Sequence, residues 1–197
     1  MNHLNKQLEF ILELDNLKAV YRKTFVSVDN NRNENSAEHS WHVAMMAGIL
    51  HQYAEADVEL SRVVNMLLIH DIVEIDAGDT FAFAAQSELD KQEEIELIAA
   101  NRLFGLLPKK QFEMTRNLWL EFERADSADA KFAKAMDRML PLLQNMQNNG
   151  GSWSIHAVKK TQVLKRNEYL TQSAPQLWQY ACEQIDLAVS KGWLIDE

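Results

Sequence analysis

The chain has 197 residues, of which 47% are apolar and 25% are charged, and its formal net charge is −9. This size and composition predict one soluble globular domain over residues 1–197. The negative charge argues against binding of a nucleic-acid polymer, which needs many Lys and Arg contacts to phosphates. The single cysteine, Cys182, excludes a disulfide within the chain, and no apolar run is long enough to span a membrane. We therefore expect a cytoplasmic protein without a membrane anchor.

The first part of the chain predicts helices only. Prolines and glycines are few, and no convincing alternating strand pattern is present. A first helix is predicted over residues 4–18, and the Asn-rich stretch 27–36 is expected to be a loop. Ser36 is the expected N-cap of a second helix that reaches about Tyr53. A third helix is predicted over 59–74, and because the second and third are apolar nearly all round, we expect them at the centre of the fold.

The second part also predicts helices. Residues 76–85 are expected to form a loop, after which Ser87 can cap a fourth helix that ends near residue 105. Pro108 fits the first turn of a fifth helix, and a sixth is predicted over 128–147, bent at Pro141. Two more helices should follow the break at Gly150-Gly151. The motif-bearing core would then cover about 17–143 and the C-terminal helices about 152–192.

A histidine-aspartate doublet, His70-Asp71, lies inside the apolar run L-L-I-H-D-I-V-E. Burial of an imidazole and a carboxylate is costly unless a partner satisfies them. His39, in A-E-H-S-W-H-V, and Asp137, in A-K-A-M-D-R-M, could complete a shell around one divalent metal ion. This nitrogen and oxygen donor set suits Mn²⁺, Co²⁺, Fe²⁺ or Zn²⁺, and it leaves coordination positions for water and substrate.

Each of these residues also has a purely structural explanation. His39 alone would be a hydrogen-bonded histidine near a helix start, and Asp137 alone a carboxylate paired with Lys134 one turn back. The doublet could be a hydrogen-bonded pair at a helix end. The combination favours a metal site, because the doublet lies in an apolar helix without a cation close in sequence. The H-E-x-x-H pattern of zinc proteases is absent.

The order His39, His70-Asp71, Asp137 on a helical chain resembles the HD superfamily of metal-dependent phosphohydrolases. The segments E-N-S-A-E-H-S-W-H-V, H-D-I-V-E-I-D-A-G-D, L-W-L-E-F-E and A-K-A-M-D-R-M resemble the branch that contains the bacterial 5′-deoxynucleotidases. The resemblance covers about 17–143. It implies an all-α HD-domain bundle, a homodimer, one divalent metal ion held by these four residues, and hydrolysis of deoxyribonucleoside 5′-monophosphates to nucleoside and phosphate.

The resemblance also implies roles for four further residues. Glu74, in H-D-x-x-E, would act beside the nucleophilic water, and Asp79 would match the second catalytic acidic position. Arg22 would grip the substrate phosphate, with Arg32 as its rival. Glu74 follows His70 by four residues, so a continuing helix would place both on one face. Without the resemblance, Glu74 would be a surface carboxylate, Asp79 a turn residue and Arg22 a solvated cation.

Other functions remain open from the sequence. Relatives of the superfamily hydrolyse guanosine tetraphosphate, deoxynucleoside triphosphates and cyclic dinucleotides. The first group typically has a Glu-Asp pair after the doublet, whereas Glu74 is followed here by Ile75. The G-Y-P extension of the cyclic-dinucleotide enzymes is missing, and the short chain does not favour a triphosphohydrolase. A helical module that binds a nucleotide or a protein without catalysis is the non-enzymatic alternative.

Overall fold

Helices make up most of the computed structural model, which describes residues 2–197, so the all-α prediction is confirmed. None of the helices in this part of the chain is both long and apolar enough to cross a membrane. The helices and strands, in chain order, are α1 (His3–Glu13), β1 (Tyr21–Val26), β2 (Arg32–Asn35), α2 (Ser36–Leu50), α3 (Leu60–Ile69), α4 (Glu74–Ala77), α5 (Gln86–Phe104), α6 (Lys109–Arg124), α7 (Ala128–Gln147), α8 (Gly151–Ile155), α9 (Lys160–Arg166), α10 (Leu170–Ser173) and α11 (Pro175–Ser190).

Helix α7 is the central element, with the bounds that its apolar stripe predicts. It packs against α2, α3 and α6, and its Phe132, Met136 and Leu140 are fully buried. The predicted central positions of the second and third helices also agree with the structure, since Val43 of α2 and Met66 of α3 have no exposed surface. Apolar burial of this extent supplies the main driving force for folding. Asp137 therefore projects from the best-buried helix of the molecule.

The doublet lies where two apolar clusters meet. Leu67, just before it, belongs to the large cluster around α7. Ile72 and Val73, just after it, belong to a second cluster that includes Phe104 of α5 and Trp119 of α6. The indole Nε1 of Trp119 also donates a hydrogen bond to the His70 carbonyl, at 3.2 Å. The backbone of the doublet is thus fixed from both sides.

The prediction of one continuous third helix over 59–74 is wrong, because the helix is interrupted at the doublet. Helix α3 ends at Ile69, residues His70–Val73 form a 3₁₀ turn, and α4 begins at Glu74. Because a 3₁₀ helix has three residues per turn, residues three apart lie above one another. Glu74 is therefore aligned with Asp71 and not with His70, and Arg22 contacts both carboxylates.

The structure contains a β-hairpin that the sequence analysis missed. Strands β1 and β2 pair antiparallel, so the expectation of a loop over 27–36 is wrong from residue 32 onward. The turn between them uses Asn30 and Asn31 at positive φ, a region that Asn tolerates better than most residues. The usual alternation of apolar and polar residues is absent because the buried positions, Thr24 and Glu34, are themselves polar. These polar positions face the site described below.

Several boundaries also differ from the predictions. Asn35, not Ser36, caps α2, and it shares a capping box with Glu38. Helix α5 begins at Gln86, before the proposed cap Ser87, and Pro108 precedes α6 as its N-cap residue. After Gly150 the chain forms four helices, α8 to α11, and not two. They are short, and the apolar spacing cannot separate such short helices from one another.

Candidate metal centre and substrate cavity

Three side chains from separate elements converge at the end of α3. His39 of α2, His70 of the 3₁₀ turn and Asp137 of α7 each place one possible metal-ligand atom within 4.8 Å of the others. The Asp137 Oδ1 atom is 3.0 Å from His39 Nε2 and 3.4 Å from His70 Nε2. All three residues are buried. The structure thus brings together three of the four predicted ligands.

The fourth predicted ligand, Asp71, adjoins this group. Its Oδ1 atom lies 3.0 Å from His70 Nε2, and its Oδ2 atom accepts a hydrogen bond from the Nη1 of Arg22 at 2.6 Å. One carboxylate oxygen therefore faces the histidines while the other is held by the arginine. This arrangement fixes the orientation of the Asp71 carboxylate.

The ring of His70 shows why this group needs a cation. Its Nδ1 donates to the carbonyl of Leu67 at 2.7 Å, which leaves the lone pair of Nε2 directed at the oxygens of Asp71 and Asp137. Buried among residues 2–197, that Nε2 has no hydrogen-bond partner. Acceptors that face one another repel unless a positive charge lies between them. The donor set fits a divalent metal ion.

The electrostatics agree with this requirement. Burial opposes protonation of His70, but the carboxylates of Asp71 and Asp137 outweigh burial and raise its pKa to about 9. Burial likewise opposes ionisation of Asp137, yet the adjacent imidazole groups of His39 and His70 hold its pKa well below the usual range. Two carboxylates at this point attract positive charge strongly. A proton on His70 satisfies that attraction when no metal ion is bound.

Glu34 supports His39 from the opposite side, and the sequence analysis did not identify it. Its Oε2 lies 3.3 Å from His39 Nδ1 and also accepts from the Thr24 hydroxyl at 3.0 Å, while Gln144 donates to its other oxygen at 2.7 Å. Burial opposes ionisation, but the hydrogen bond to His39 lowers the Glu34 pKa. A carboxylate behind a histidine ligand fixes the ring and its tautomer. The sequence offered no signal for this role, because neither the strand that carries Glu34 nor the burial of its side chain was predicted.

The predicted catalytic carboxylates lie around Arg22. The Arg22 Nη1 atom is 3.7 Å from Glu74 Oε1 and 3.8 Å from Asp79 Oδ1, in addition to its contact with Asp71. Burial is the largest influence on Glu74, and with nearby Asp71 it raises the Glu74 pKa well above its usual range. Burial also raises the pKa of Asp79, against the influence of Arg22. The positive charge of Arg22 is thus already offset by three carboxylates.

The rival arginine, Arg32, lies elsewhere. It is not among the residues of the described chain that line the cavity beside the metal centre. Its two Nη atoms bind both carboxylate oxygens of Glu38, at 2.7 and 2.9 Å. This two-point pairing uses the guanidinium fork fully and ties the hairpin to the start of α2. The structure brings Arg22 to the centre and leaves Arg32 outside it.

A cavity of about 360 Å³ opens beside the metal centre, and residues from both halves of the chain line it. Phe81 and Phe83 form part of its wall, with the Phe81 ring 4.5 Å from that of His156. Its wall also includes residues that the sequence analysis did not single out, namely Arg138, Asn145, Ser152, Trp153, Arg166 and Asn167. Most of these follow residue 143. The C-terminal helices therefore build part of the site.

Comparison with known proteins agrees with this geometry. A family model described as HD domain matches residues 14–178, which include the four predicted metal ligands and much of the C-terminal region. The chain belongs to the HD domain family. The resemblance inferred from the sequence is confirmed, and it extends beyond the predicted core, 17–143.

The relatives of this HD domain include solved structures and a named enzyme. A crystal structure from Magnetospirillum magnetotacticum MS-1, described as a predicted metal-dependent phosphohydrolase, is 47% identical, with a TM-score of 0.87 and 98% of each chain covered. The human 5′-deoxynucleotidase HDDC2 is 30% identical over 139 residues, which cover 70% of this chain and 65% of the human protein. The structure of an HD-domain phosphohydrolase from Listeria innocua is 15% identical and has a TM-score of 0.67, with 94% of this chain and 97% of the other chain covered. At this low identity the similarity supports the fold of this chain and not its function.

We expect Glu34→Gln to weaken divalent metal binding about 10- to 100-fold, because the neutral amide no longer supports the His39 ring as a carboxylate does. Isothermal titration of the chelator-treated protein with Mn²⁺ measures this affinity. Glu9→Gln, an exposed change on α1, is the matched control and should bind as the wild type does. Unchanged affinity in Glu34→Gln would contradict a supporting role.

Glu96, which also lines the cavity, predicts a pH dependence of stability. Burial, reinforced by nearby Glu123, raises its pKa to about 7. An unfolded glutamate ionises near pH 4.3, so between about pH 4.3 and 7 the folded state binds more protons than the unfolded state. The contribution of Glu96 to the free energy of unfolding therefore falls as the pH rises through this window.

Removal of this carboxylate should stabilise the protein at high pH. We expect Glu96→Gln to exceed the wild type by up to about 3 kcal/mol at pH 8, and by much less at pH 5. Urea unfolding at both pH values gives the two differences. Glu94→Gln, exposed on the same helix, should show little change at either pH. An equal effect of Glu96→Gln at pH 5 and pH 8 would rule out this titration.

Proposed function

We propose that this HD domain is a metal-dependent phosphohydrolase that removes phosphate from (deoxy)ribonucleoside 5′-monophosphates. The observation that carries the proposal is the buried group of His39, His70, Asp71 and Asp137 beside a cavity that Glu74 and Asp79 also line. The names of the human and Magnetospirillum relatives support it. Because the chain spans 65% of the human relative's length, the substrate is part of the proposal.

The four ligands would hold one divalent ion, Mn²⁺, Co²⁺, Fe²⁺ or Zn²⁺, all of which accept imidazole and carboxylate donors. When bound, that ion supplies Lewis-acid stabilisation of charge on the phosphoryl oxygens. The chain contributes the rigid positions of the ligands: Glu34 holds His39, the Leu67 carbonyl holds His70, and Arg22 holds Asp71. Ligands fixed in this way need little rearrangement during the reaction.

Glu74 is the proposed general base. Its Oε2 atom accepts a hydrogen bond from the Ser36 hydroxyl at 2.6 Å, which leaves Oε1 on the side of Arg22. A carboxylate held at this position can take the proton of a water molecule that attacks phosphorus. Asp79 lies on the other side of Arg22, and burial raises its pKa, which favours the protonated acid. In that form Asp79 can give its proton to the nucleoside oxygen when the bond between that oxygen and phosphorus breaks, which leaves Asp79 as the carboxylate. Arg22 keeps these carboxylates at fixed separations, and phosphate binding by Arg22 stays a prediction.

The rest of the cavity suits a mononucleotide. Its volume of about 360 Å³ lies within the range of small-molecule sites. The Phe81 ring, which contacts His156 in a tilted arrangement, and the Phe83 ring offer an apolar wall for a base or sugar. Aromatic side chains can stack on any base, so this wall alone does not select one.

The decisive experiment is phosphate release from a nucleotide panel after chelator treatment and addition of Mn²⁺, Co²⁺, Mg²⁺ or Zn²⁺. The panel contains deoxy- and ribonucleoside 5′-monophosphates, deoxynucleoside triphosphates and guanosine tetraphosphate. We expect metal-dependent release from the monophosphates. Glu74→Gln should bind metal normally yet lose about 10²- to 10⁴-fold in kcat, as removal of a general base does. Asp71→Asn should lose both metal binding and activity.

The control for these variants is Asp76→Asn, which changes a carboxylate on α4 that pairs with Arg102 outside the cavity. It should retain activity. Release only from another nucleotide would keep the site and replace the substrate. No release from any nucleotide, together with no metal binding, would overturn the enzyme assignment in favour of a binding module.

We also infer a homodimer, as the resemblance implies. Trp41, Met45 and Ile49 lie on one face of α2, one turn apart, and are 63%, 52% and 69% exposed. A second copy that covers this face would remove apolar area from water. Sedimentation equilibrium should show a dimer that Met45→Glu dissociates and that Ile98→Glu, an exposed change on α5, leaves intact. A monomeric wild type would contradict the inference. The cytoplasmic location stays a prediction from composition.

A further inference from the structure

Two arginines of the cavity wall have no carboxylate partner. Arg138 follows the ligand Asp137 on α7, and Arg166 is the last residue of α9; both line the cavity. Of the other cations of the wall, Arg22 pairs with Asp71 and Lys134 pairs with Glu123 at 2.7 Å, whereas Lys23 is exposed to solvent. Within residues 2–197, neither Arg138 nor Arg166 forms an ion pair. In a chain of net charge −9, two unpaired guanidinium groups at one site are unexpected.

The hydrogen bonds of these arginines leave most of their donors free. Arg138 donates from Nη1 to the Arg166 carbonyl at 3.2 Å and stacks on Tyr169, with 4.3 Å from the guanidinium carbon to the ring centre. Its buried Nε has no partner within the described chain. The Arg166 side chain donates no hydrogen bond to any of residues 2–197. A guanidinium group carries five N–H donors, so an oxyanion here would find several.

Two neighbouring, partly buried cations repel one another, and a bound anion would relieve this repulsion. Burial lowers the pKa of Arg166 below its ordinary value, and the like charge of Arg138 lowers it further. Both side chains are partly buried, so solvent screens the repulsion between the two guanidinium groups only in part. A bound oxyanion would offset both charges and accept the unused N–H groups.

The ion pairs of the neighbouring groups show which cations are free to bind that anion. A divalent ion balances the carboxylates of Asp71 and Asp137, and Lys134 balances Glu123. Arg22 is surrounded by carboxylates. Arg138 and Arg166 are then the guanidinium groups of the wall that no carboxylate pairs with among residues 2–197. Together these two groups carry two positive charges, which match the two negative charges of a phosphate monoester dianion.

We propose that Arg138 and Arg166 form an anion subsite that binds a phosphate dianion of the substrate. The proposal rests on the proposed function and assigns phosphate binding to residues other than Arg22. The anion has two possible sources, which share one chemistry. It is either the phosphate that is cleaved or a second phosphate, as in a nucleoside 3′,5′-bisphosphate.

The first test measures inorganic phosphate binding by isothermal titration to the metal-loaded protein and to the chelator-treated protein. We expect Arg166→Met to weaken binding about 10- to 100-fold in both forms, since it removes hydrogen bonds to a charged group. Lys165→Met, which removes the same charge from the exposed neighbouring position, is the matched control and should bind as the wild type does. Equal phosphate affinity in Arg166→Met and the wild type would overturn the proposal.

Arg138 needs a variant that separates charge from packing, because it also contacts Tyr169 and the Arg166 backbone. Arg138→Lys keeps the positive charge, whereas Arg138→Met removes it. We expect Arg138→Lys to retain more phosphate affinity than Arg138→Met when both melt at the wild-type temperature. If Arg138→Met does not fold, Arg166→Met decides alone, since that side chain makes no hydrogen bond within the described chain.

Kinetics identify the source of the anion. If the subsite binds the cleaved phosphate, Arg166→Met should lower kcat/KM equally for 5′-monophosphates and 3′,5′-bisphosphates. A loss confined to bisphosphates assigns it to the second phosphate. Failure of the two proposals can be distinguished: a wild type that binds phosphate through Arg166 but cleaves no nucleotide overturns only the proposed function. A wild type that cleaves monophosphates, with Arg166→Met unchanged in phosphate binding and kinetics, overturns only the subsite.

Discussion

Two buried aspartates, Asp71 and Asp137, meet the imidazole rings of His39 and His70, and the stability of that arrangement depends on a positive charge among them. In the low-dielectric interior, unpaired carboxylates are costly, and removal of the balancing charge costs more than the pair contributes. The fold provides supports on every side: Glu34 behind His39, the Leu67 carbonyl behind His70, and Arg22 behind Asp71. The centre therefore couples metal binding to the free energy of unfolding.

The apolar framework explains why this charge cluster keeps its shape. Helix α7 is buried along most of its length, and the 3₁₀ turn of the doublet is held between two apolar clusters. Pro141 lacks the N–H that would otherwise bond to the Asp137 carbonyl four residues earlier, yet α7 continues through it. Well-packed side chains on both sides leave the ligands little freedom to move. Precise ligand positions thus follow from ordinary hydrophobic packing.

The sequence predicts the metal centre better than it predicts the hairpin and the helix boundaries around that centre. A doublet inside an apolar run is visible because burial of charge violates the usual pattern, and α7 is visible because its stripe is long and regular. The hairpin escaped prediction because its buried positions, Thr24 and Glu34, are polar and serve the site. The break in the third helix at Ile69 also escaped, because tertiary contacts and not local preference determine it.

The residues of the cavity wall could not be predicted from the sequence either, and the reason is a different one. Arg138 and Arg166 differ from other arginines of the chain only in what surrounds them, and the absence of a carboxylate partner within the described residues is a property of the assembled structure. The short C-terminal helices give weak periodic signals, so their approach to Asp137 has no counterpart in local sequence. Family resemblance over 17–143 locates the ligands but not this wall.

The contribution of the C-terminal helices to the cavity has a consequence for biosynthesis. A ribosome releases the N-terminus first, so all four proposed metal ligands leave the exit tunnel before Trp153, Arg166 and Asn167. A nascent chain can thus expose its imidazoles and carboxylates while the far wall of the cavity is still inside the tunnel. During translation, the proposed metal ligands therefore become available before the far wall of the cavity does.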